Sequence, residues 1–434
     1  MTSPDTSAAA LPSPTVIRNV VMPADKAQDW DLQHAHALIH LDRLRGNLAA
    51  VRAALRPGIR VFAVVKADAY GLGLPQVALE LSEAGIDGFV VSTTSEGLAL
   101  RRLGLTQEVL VLGPVLEEEV ATLMAYQLSI TLVSMDQLEW AEREAARQGA
   151  RARVHIRVDL GLGGQGLDPQ LLLALLGRLR SHPRLEWASL FVQQAGGYRA
   201  DAVLMQQERA RLEALLHSVR QAGFEPPLVH SQSSPGVSLA PEAVAGGAVR
   251  IGALLYGLRM VDRAPPGIRP VMEIHARVLD VRMLEAGSAL SYEAGCHNLS
   301  RRRVASLSIG FAMAGFLAMG SADAWVLVRG VRLPLLGRSF MNNLLVDASE
   351  LPTIERGDEA VLLGQQGALE ITAEAIAAAA DIRPSAVPLL CSSLPRRYHG
   401  AWACAAASSA DMASESCSNS GPDSYSSSKS IVEI

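Results

Sequence analysis

The chain has 434 residues, 49% of them apolar and 19% charged, with a formal net charge of −5. That length allows two domains with a large core, and the mild acidic balance provides no basic patch of the kind a nucleic-acid backbone requires. The four cysteines, Cys296, Cys391, Cys404 and Cys417, show neither zinc-site spacing nor the density of a disulfide scaffold.

The opening "MTSPDTSAAALPSPTVIRNV" lacks the basic start and unbroken apolar core of a secretory signal. Nowhere do about eighteen uncharged apolar residues run together, so no membrane span is expected. These features point to a soluble protein in a reducing, cytoplasmic compartment, acting on a small molecule. Residues 1–32, with scattered Pro, Ser and Asp, are expected to form a partly disordered extension.

From residue 61 short β-branched runs alternate with helical patterns. The candidate strands are "VFAVVKA" at 61, "DGFVVST" at 87, "EVLVLGP" at 108, "LSITLVS" at 128, "RVHIRVD" at 153, "EWASLFV" at 186, "LVHSQSS" at 228 and "AVRIGALL" at 248. Between them, segments such as "LPQVALELSEAG", "MDQLEWAEREAARQG" and "ADAVLMQQERARLEALLHSVRQAG" repeat apolar residues at spacings of three and four, several closing on Gly. Eight strands buried on both faces and joined by helices predict an α/β fold, a closed parallel (β/α)8 barrel over residues 33–268.

Beyond residue 268 strand follows strand: "EIHARVLDVRML", "RRVASLSIG", "AWVLVRGVRLPLLGR", "NLLVDAS" and "EAVLLGQ". Arg329 and Gly330 read as a hairpin turn between alternating runs. A mainly β domain over 269–398 is therefore expected, followed by an aperiodic, Ser- and Ala-rich tail over 399–434.

One residue interrupts this pattern. Lys66 stands at the carboxyl end of the first barrel strand, where such barrels gather their reactive groups. Desolvated by Phe62, Val64 and Val65, its amine would have a depressed pKa suited to a Schiff base with an aldehyde cofactor. The plainer reading is a strand-end lysine that reaches water or pairs with an acid. The loops after the seventh and eighth strands, "SQSSPG" and "RIGALLYG", offer hydroxyls at Ser233 and Ser234, amides at Gly252 and Ala253, and a cation at Arg250. A phosphate cup opposite a lysine suggests pyridoxal phosphate, although serine and glycine are also ordinary turn residues.

At these residues a family resemblance enters. "AVVKADAYGLG" is similar to the cofactor-lysine signature of the alanine racemases, and the likeness continues through "HLDRLRGNLAAVR", "DGFVVSTTSEGLALR", "RVDLGLGGQGL", "VRIGALLYG", "LSYEAG", "LLGRSFMNNLLVD" and "LPRRY", in the family's order. The resemblance implies a barrel bearing pyridoxal 5'-phosphate, a C-terminal β-domain, and a homodimer with shared active sites that interconverts L- and D-alanine or a related small amino acid. It places the Schiff-base lysine on Lys66, the tyrosine near the phosphate on Tyr70, and phosphate contacts on Ser234, Gly252 and Ala253. Arg250 takes the place of the arginine facing the pyridine nitrogen, and Ser233 and Tyr256 complete the cofactor set. Lys66 and Tyr292, the latter from the partner subunit, become the two catalytic bases. Met341 and Asn342 fall at positions around the substrate.

The departures gather on the substrate side. The family's histidine that supports the catalytic tyrosine falls on Val192, an asparagine near the phosphate on Ser233, and the often carbamylated lysine on Arg157. The arginine that contacts the substrate carboxylate falls on Gly164, where neighbouring Gln165 offers a hydrogen bond without charge. Phe311, Met313, Asn342 and Val387 stand where the family has a tyrosine, an aspartate, a second aspartate and a tyrosine at the entrance. Altered substrate preference, another reaction on the same scaffold (elimination, decarboxylation or aldol cleavage), and a weakly active or non-catalytic cofactor carrier are the competing expectations. No metal is implied: the histidines lack ligand spacing, and His34, His36 and His40 stand where a surface strand begins.

Overall fold

The computed structural model describes residues 34–163, 166–244, 246–290, 297–319 and 324–400. The expected extension before residue 33 and the tail beyond residue 400 lie outside the described residues.

The strands in chain order are β1 (His36–His40), β2 (Arg60–Val64), β3 (Gly88–Val91), β4 (Glu108–Val111), β5 (Ile130–Leu132), β6 (Ala152–Arg157), β7 (Leu185–Phe191), β8 (Val229–Ser233) and β9 (Ala248–Ile251). Then follow β10 (Met272–Leu284), β11 (Arg302–Leu307), β12 (Trp325–Val328), β13 (Val331–Pro334), β14 (Leu344–Asp347), β15 (Glu359–Gln366), β16 (Leu369–Ile371) and β17 (Arg396–His399). All eight expected barrel strands are present, as β2 to β9.

They form one parallel sheet in the order β4-β3-β2-β9-β8-β7-β6-β5. Its two ends meet through a bridge between Leu110 and Ser129, where Val111 N donates to Ser129 O at 3.1 Å and Ser129 N to Val109 O at 2.8 Å. The barrel is thus nearly closed. Alternation along each strand sends one set of side chains outward against the helices and the other into the lumen. Val61, Ala63, Val249 and Ile251 face the helices, whereas Phe62, Val64, Val90, Leu110, Phe191 and Ala248 pack together inside.

The three helical segments read from the sequence fold as Leu74–Glu83, Met135–Gln148 and Ala202–Gln221. Ser134 and Asp201 cap the starts of the latter two by accepting from Gln137 N and Leu204 N. Gly149, at φ 63°, closes the middle one in a left-handed conformation that costs a residue without Cβ little.

The second sheet runs β13-β12-β15-β10-β1-β17, with β11 and β14 extending from β10 and β16 from β15. The hairpin at Arg329 and Gly330 takes φ 51° and 75°, the pair of positive angles a two-residue turn of this hand requires. β1 departs from the expected segment 33–268 because it joins this second sheet, antiparallel to β10 and parallel to β17. It is also an interior strand and not a surface one, with His40 buried. A five-residue "HALIH" carries no signal of partners that lie more than two hundred residues away.

Candidate active site

The site begins with a strained turn. Directly after β2 and Lys66, the residues Ala67, Asp68, Ala69 and Tyr70 all have φ between 53° and 59°. Non-glycine residues in this left-handed region cost roughly 1 to 2 kcal/mol each, so other contacts must hold the turn. Glu96 Oε1 accepts from Ala67 N at 2.6 Å, and Asp68 Oδ1 accepts from Leu74 N at 2.7 Å. From β17, Arg396 Nη1 lies 2.8 Å from Asp68 Oδ2, and Tyr398 Oη donates to Leu72 O at 3.0 Å. Gly73 has φ 99°, and a Cβ there would lie 2.0 Å from Tyr398 Oη. The second sheet therefore clamps the lysine turn to the barrel.

Lys66, half-buried, lines a cavity of 290 Å³ together with Tyr70, Ser233, Ser234, Arg250, Gly252 and Ala253. β2, β8 and β9 are neighbours, so register alone brings their carboxyl ends together: Phe62 pairs with Arg250, and Arg250 with Ser233. Ser234 Oγ accepts from Gly252 N and Leu254 N, both at 3.2 Å, which ties the loops after β8 and β9 into one rim. A Cβ on Gly252 would come within 2.8 Å of Tyr70 Oη and 3.3 Å of Val64 Cβ. That cradle needs glycine.

Arg250 is fully enclosed. Its Nη1 donates to His230 Nδ1 at 2.6 Å and His230 O at 3.0 Å, and its Nη2 to Val192 O at 2.9 Å and Gln193 Oε1 at 3.0 Å. Burial brings its pKa down to about 10, which still leaves a cation at neutral pH. Burial also pushes the Tyr70 hydroxyl well above the usual phenol range. Amine, hydroxyls, backbone amides and a fixed cation therefore share one cavity, a donor set suited to an aldehyde that carries a phosphate and a ring nitrogen.

Tyr256 requires a correction. Its hydroxyl donates to Val64 O at 2.8 Å, and its ring backs Tyr70 at 5.0 Å, so it supports the cavity wall from behind and does not line it. Met341 and Asn342 are both exposed on the loop between β13 and β14 and do not line this cavity either. Met341 O accepts from Ala312 N at 3.0 Å. Tyr292, Gly164 and Gln165 lie outside the described residues.

Val192 is buried, and Val387, expected at an entrance, is fully enclosed. Its neighbours Arg383, Ser385 and Leu389 line the cavity instead, as do Gln193 and Tyr198. Sequence reasoning missed all five. Gln193 had a readable signal, since it follows the carboxyl end of β7, and so did Glu96, the last residue of a "TTSE" capping box. Among the described residues, His40, Asp42 and His399 each bring a ligating atom within 4.8 Å of the others, a grouping that sequence spacing did not reveal. Among the described residues no helix is long and apolar enough to cross a membrane.

Comparison with known proteins completes the description. Residues 39–260 match the family described as alanine racemase, N-terminal domain, and residues 271–399 the alanine racemase, C-terminal domain. The chain is 33% identical over 367 residues to an alanine racemase of Symbiobacterium thermophilum, covering 84% of this chain and 97% of that protein. A crystal structure of alanine racemase from D-cycloserine-producing Streptomyces lavendulae superposes with a TM-score of 0.79 at 27% identity, covering 85% of this chain and 98% of the other. A histidine racemase from Leuconostoc mesenteroides subsp. sake, at 21% identity and a TM-score of 0.76 over 85% of this chain and 98% of the other, shares the fold.

Proposed function

Since the chain belongs to the alanine racemase family, we propose that it is a pyridoxal-phosphate-dependent racemase of alanine or a related small amino acid. The observation that carries this reading is the convergence of Lys66, Ser234, Gly252 and Arg250 on one cavity at the carboxyl end of the barrel. In this proposal Lys66 Nζ holds the coenzyme, Ser234 and the amides of Gly252 and Ala253 hold its phosphate, and Tyr70 packs beside it. The coenzyme supplies a ring that stabilises negative charge at the substrate's α-carbon. Arg250, a cation at neutral pH, would keep the ring nitrogen unprotonated if set against it and so moderate this effect.

Racemisation needs two groups that straddle the α-carbon, one to remove its proton and one to return it on the other face. Lys66 Nζ and Tyr292 Oη of a partner subunit are the proposed pair, which makes the proposed enzyme a homodimer; the absence of a signal-like opening in the sequence supports a cytoplasmic place for it. Arg383 adds a cation to the same cavity, a candidate partner for the substrate carboxylate now that position 164 is glycine. A second reading, another reaction on the same coenzyme, is favoured by Val192: its carbonyl fixes Arg250, and its side chain offers no hydrogen bond to a catalytic tyrosine.

The test combines spectroscopy with turnover. Protein loaded with pyridoxal phosphate and treated with borohydride should retain a covalent coenzyme that Lys66→Ala loses. Each enantiomer of alanine and serine, followed by optical rotation, should invert with wild type only. Covalent coenzyme persisting in Lys66→Ala removes that residue from the proposal, and release of pyruvate or carbon dioxide without inversion supports the second reading.

A further inference from the structure

The barrel lumen has an apolar half and a polar half. Alternation along β6, β7, β8 and β9 turns His155, Ser189, His230 and Arg250 inward, and all four are buried. They touch in sequence: Arg250 Nη1 is 2.6 Å from His230 Nδ1, His230 Nε2 is 2.9 Å from Ser189 Oγ, and Ser189 Oγ is 2.6 Å from His155 Nδ1. His155 Nε2 then lies 2.9 Å from Glu108 Oε1. Glu108 begins β4 at the amino end of the barrel, where Arg60 Nη2 approaches its other oxygen at 3.1 Å.

The direction of this chain follows from one fact: a guanidinium only donates. His230 Nδ1 must therefore accept, which puts the ring hydrogen on Nε2, and Ser189 Oγ receives it. The hydroxyl's own hydrogen is left for His155 Nδ1, which puts the His155 hydrogen on Nε2, toward Glu108. No reversal is open while Arg250 is charged. Phe191 fixes the plane of His230 by stacking at 4.7 Å and 9°. Burial, helped by Arg250, holds His230 well below the usual histidine range, and burial also lowers His155. Charge is thus confined to the two ends.

We propose that Ser189, His155 and Glu108 are positioning residues, which act through His230 to hold Arg250 at the floor of the Lys66 cavity by a hydrogen-bond sequence of one direction. Nη1 and Nη2 of Arg250 are committed to His230, Val192 and Gln193, and the residue also lines the Lys66 cavity. The role toward a coenzyme ring rests on the function proposed above; the direction of the chain does not. Ser189 is the vulnerable link, because without its hydroxyl the Nε2 hydrogen of His230 is buried with no acceptor, and that cost offsets the preference Arg250 imposes for this tautomer. A hydrogen on Nδ1 would face Arg250 Nη1, donor against donor, and displace the guanidinium.

The experiment uses full-length protein labelled with ¹⁵N at histidine, with pyridoxal phosphate added. Wild type should show His155 and His230 neutral, each protonated at Nε2. Ser189→Ala should mix the His230 tautomers, shift the visible band of the bound coenzyme and weaken its retention about tenfold. His230 charged or protonated at Nδ1 in wild type overturns the proposal, as does a Ser189→Ala protein with unchanged tautomers, band and retention. Should Ser189→Ala fail to fold, the wild-type tautomers decide alone. Should wild type bind no pyridoxal phosphate, the proposed function fails while the tautomers still judge the chain.

Discussion

Raising the pH from 6.5 to 9 should loosen the sheet that clamps the lysine turn, and His275 is the group responsible. Its side chain is 11% exposed, with Nε2 at 3.3 Å from Glu273 Oε2 and Nδ1 at 3.4 Å from Glu359 Oε2. Burial alone would lower its pKa, but the two carboxylates outweigh burial and raise it to about 9 from an ordinary 6.5. A folded-state pKa above the unfolded one gives stability that is complete below pH 6.5 and lost as pH climbs through 9. That gap is worth about 3 kcal/mol, with little solvent screening at so buried a site. The surrounding groups are His36, stacked at 5.3 Å, His40, Arg43, Arg277 and Arg397. His36 is held near 4, mainly by burial, and so stays neutral across this window. Urea unfolding at pH 6.5 and 9, on wild type and His275→Gln, measures the effect. The variant should be less stable at pH 6.5 and lose most of the pH dependence. An equal fall with pH in both proteins would refute the assignment to His275.

Two further substitutions probe the turn itself. Gly73→Ala meets Tyr398 Oη at 2.0 Å and a φ of 99°, so it should cost about 2 kcal/mol or more and loosen coenzyme retention. Adding Tyr398→Phe removes the clashing atom and should recover part of that loss, read as a coupling energy in a double-mutant cycle. Ala67→Gly relieves a left-handed residue with an exposed side chain, and should raise stability by about 1 kcal/mol in urea titration. A destabilised Ala67→Gly would show that the turn is not strained.

The barrel was legible because each of its strands is a short apolar run buried on both faces, a pattern that solvent-facing elements do not produce. The Arg329–Gly330 hairpin was legible for a local reason, a glycine at the second position of a two-residue turn between alternating runs. β1 was hidden because its burial is decided by β10 and β17, not by its own five residues. The left-handed turn was hidden too, since Ala and Tyr disfavour that region and Asp enters it as a single residue, so a run of four must be held there by Glu96, Arg396 and Tyr398. Tyr256 was misplaced for a related reason. A tyrosine next to a glycine-rich loop reads as a ligand contact, and only the fold shows its hydroxyl bound to Val64 O.

The same contrast bears on three of the positions at which the resemblance marks a departure, Phe311, Met313 and Asn342, whereas Arg157 and Val192 lie in the barrel, at the end of β6 and directly after β7. The residues assigned to the coenzyme stand at the ends of β2, β8 and β9, adjacent strands whose parallel hydrogen bonding sets their relative height. A slip of one residue there would turn Arg250 out of the lumen, and a side chain on Gly252 would strike Tyr70. Phe311, Met313 and Asn342 lie outside the regular strands of the second domain, where a changed side chain disturbs no register. Divergence at those three positions can therefore accumulate while the register that sets Arg250 beside Ser233 and Lys66 remains intact.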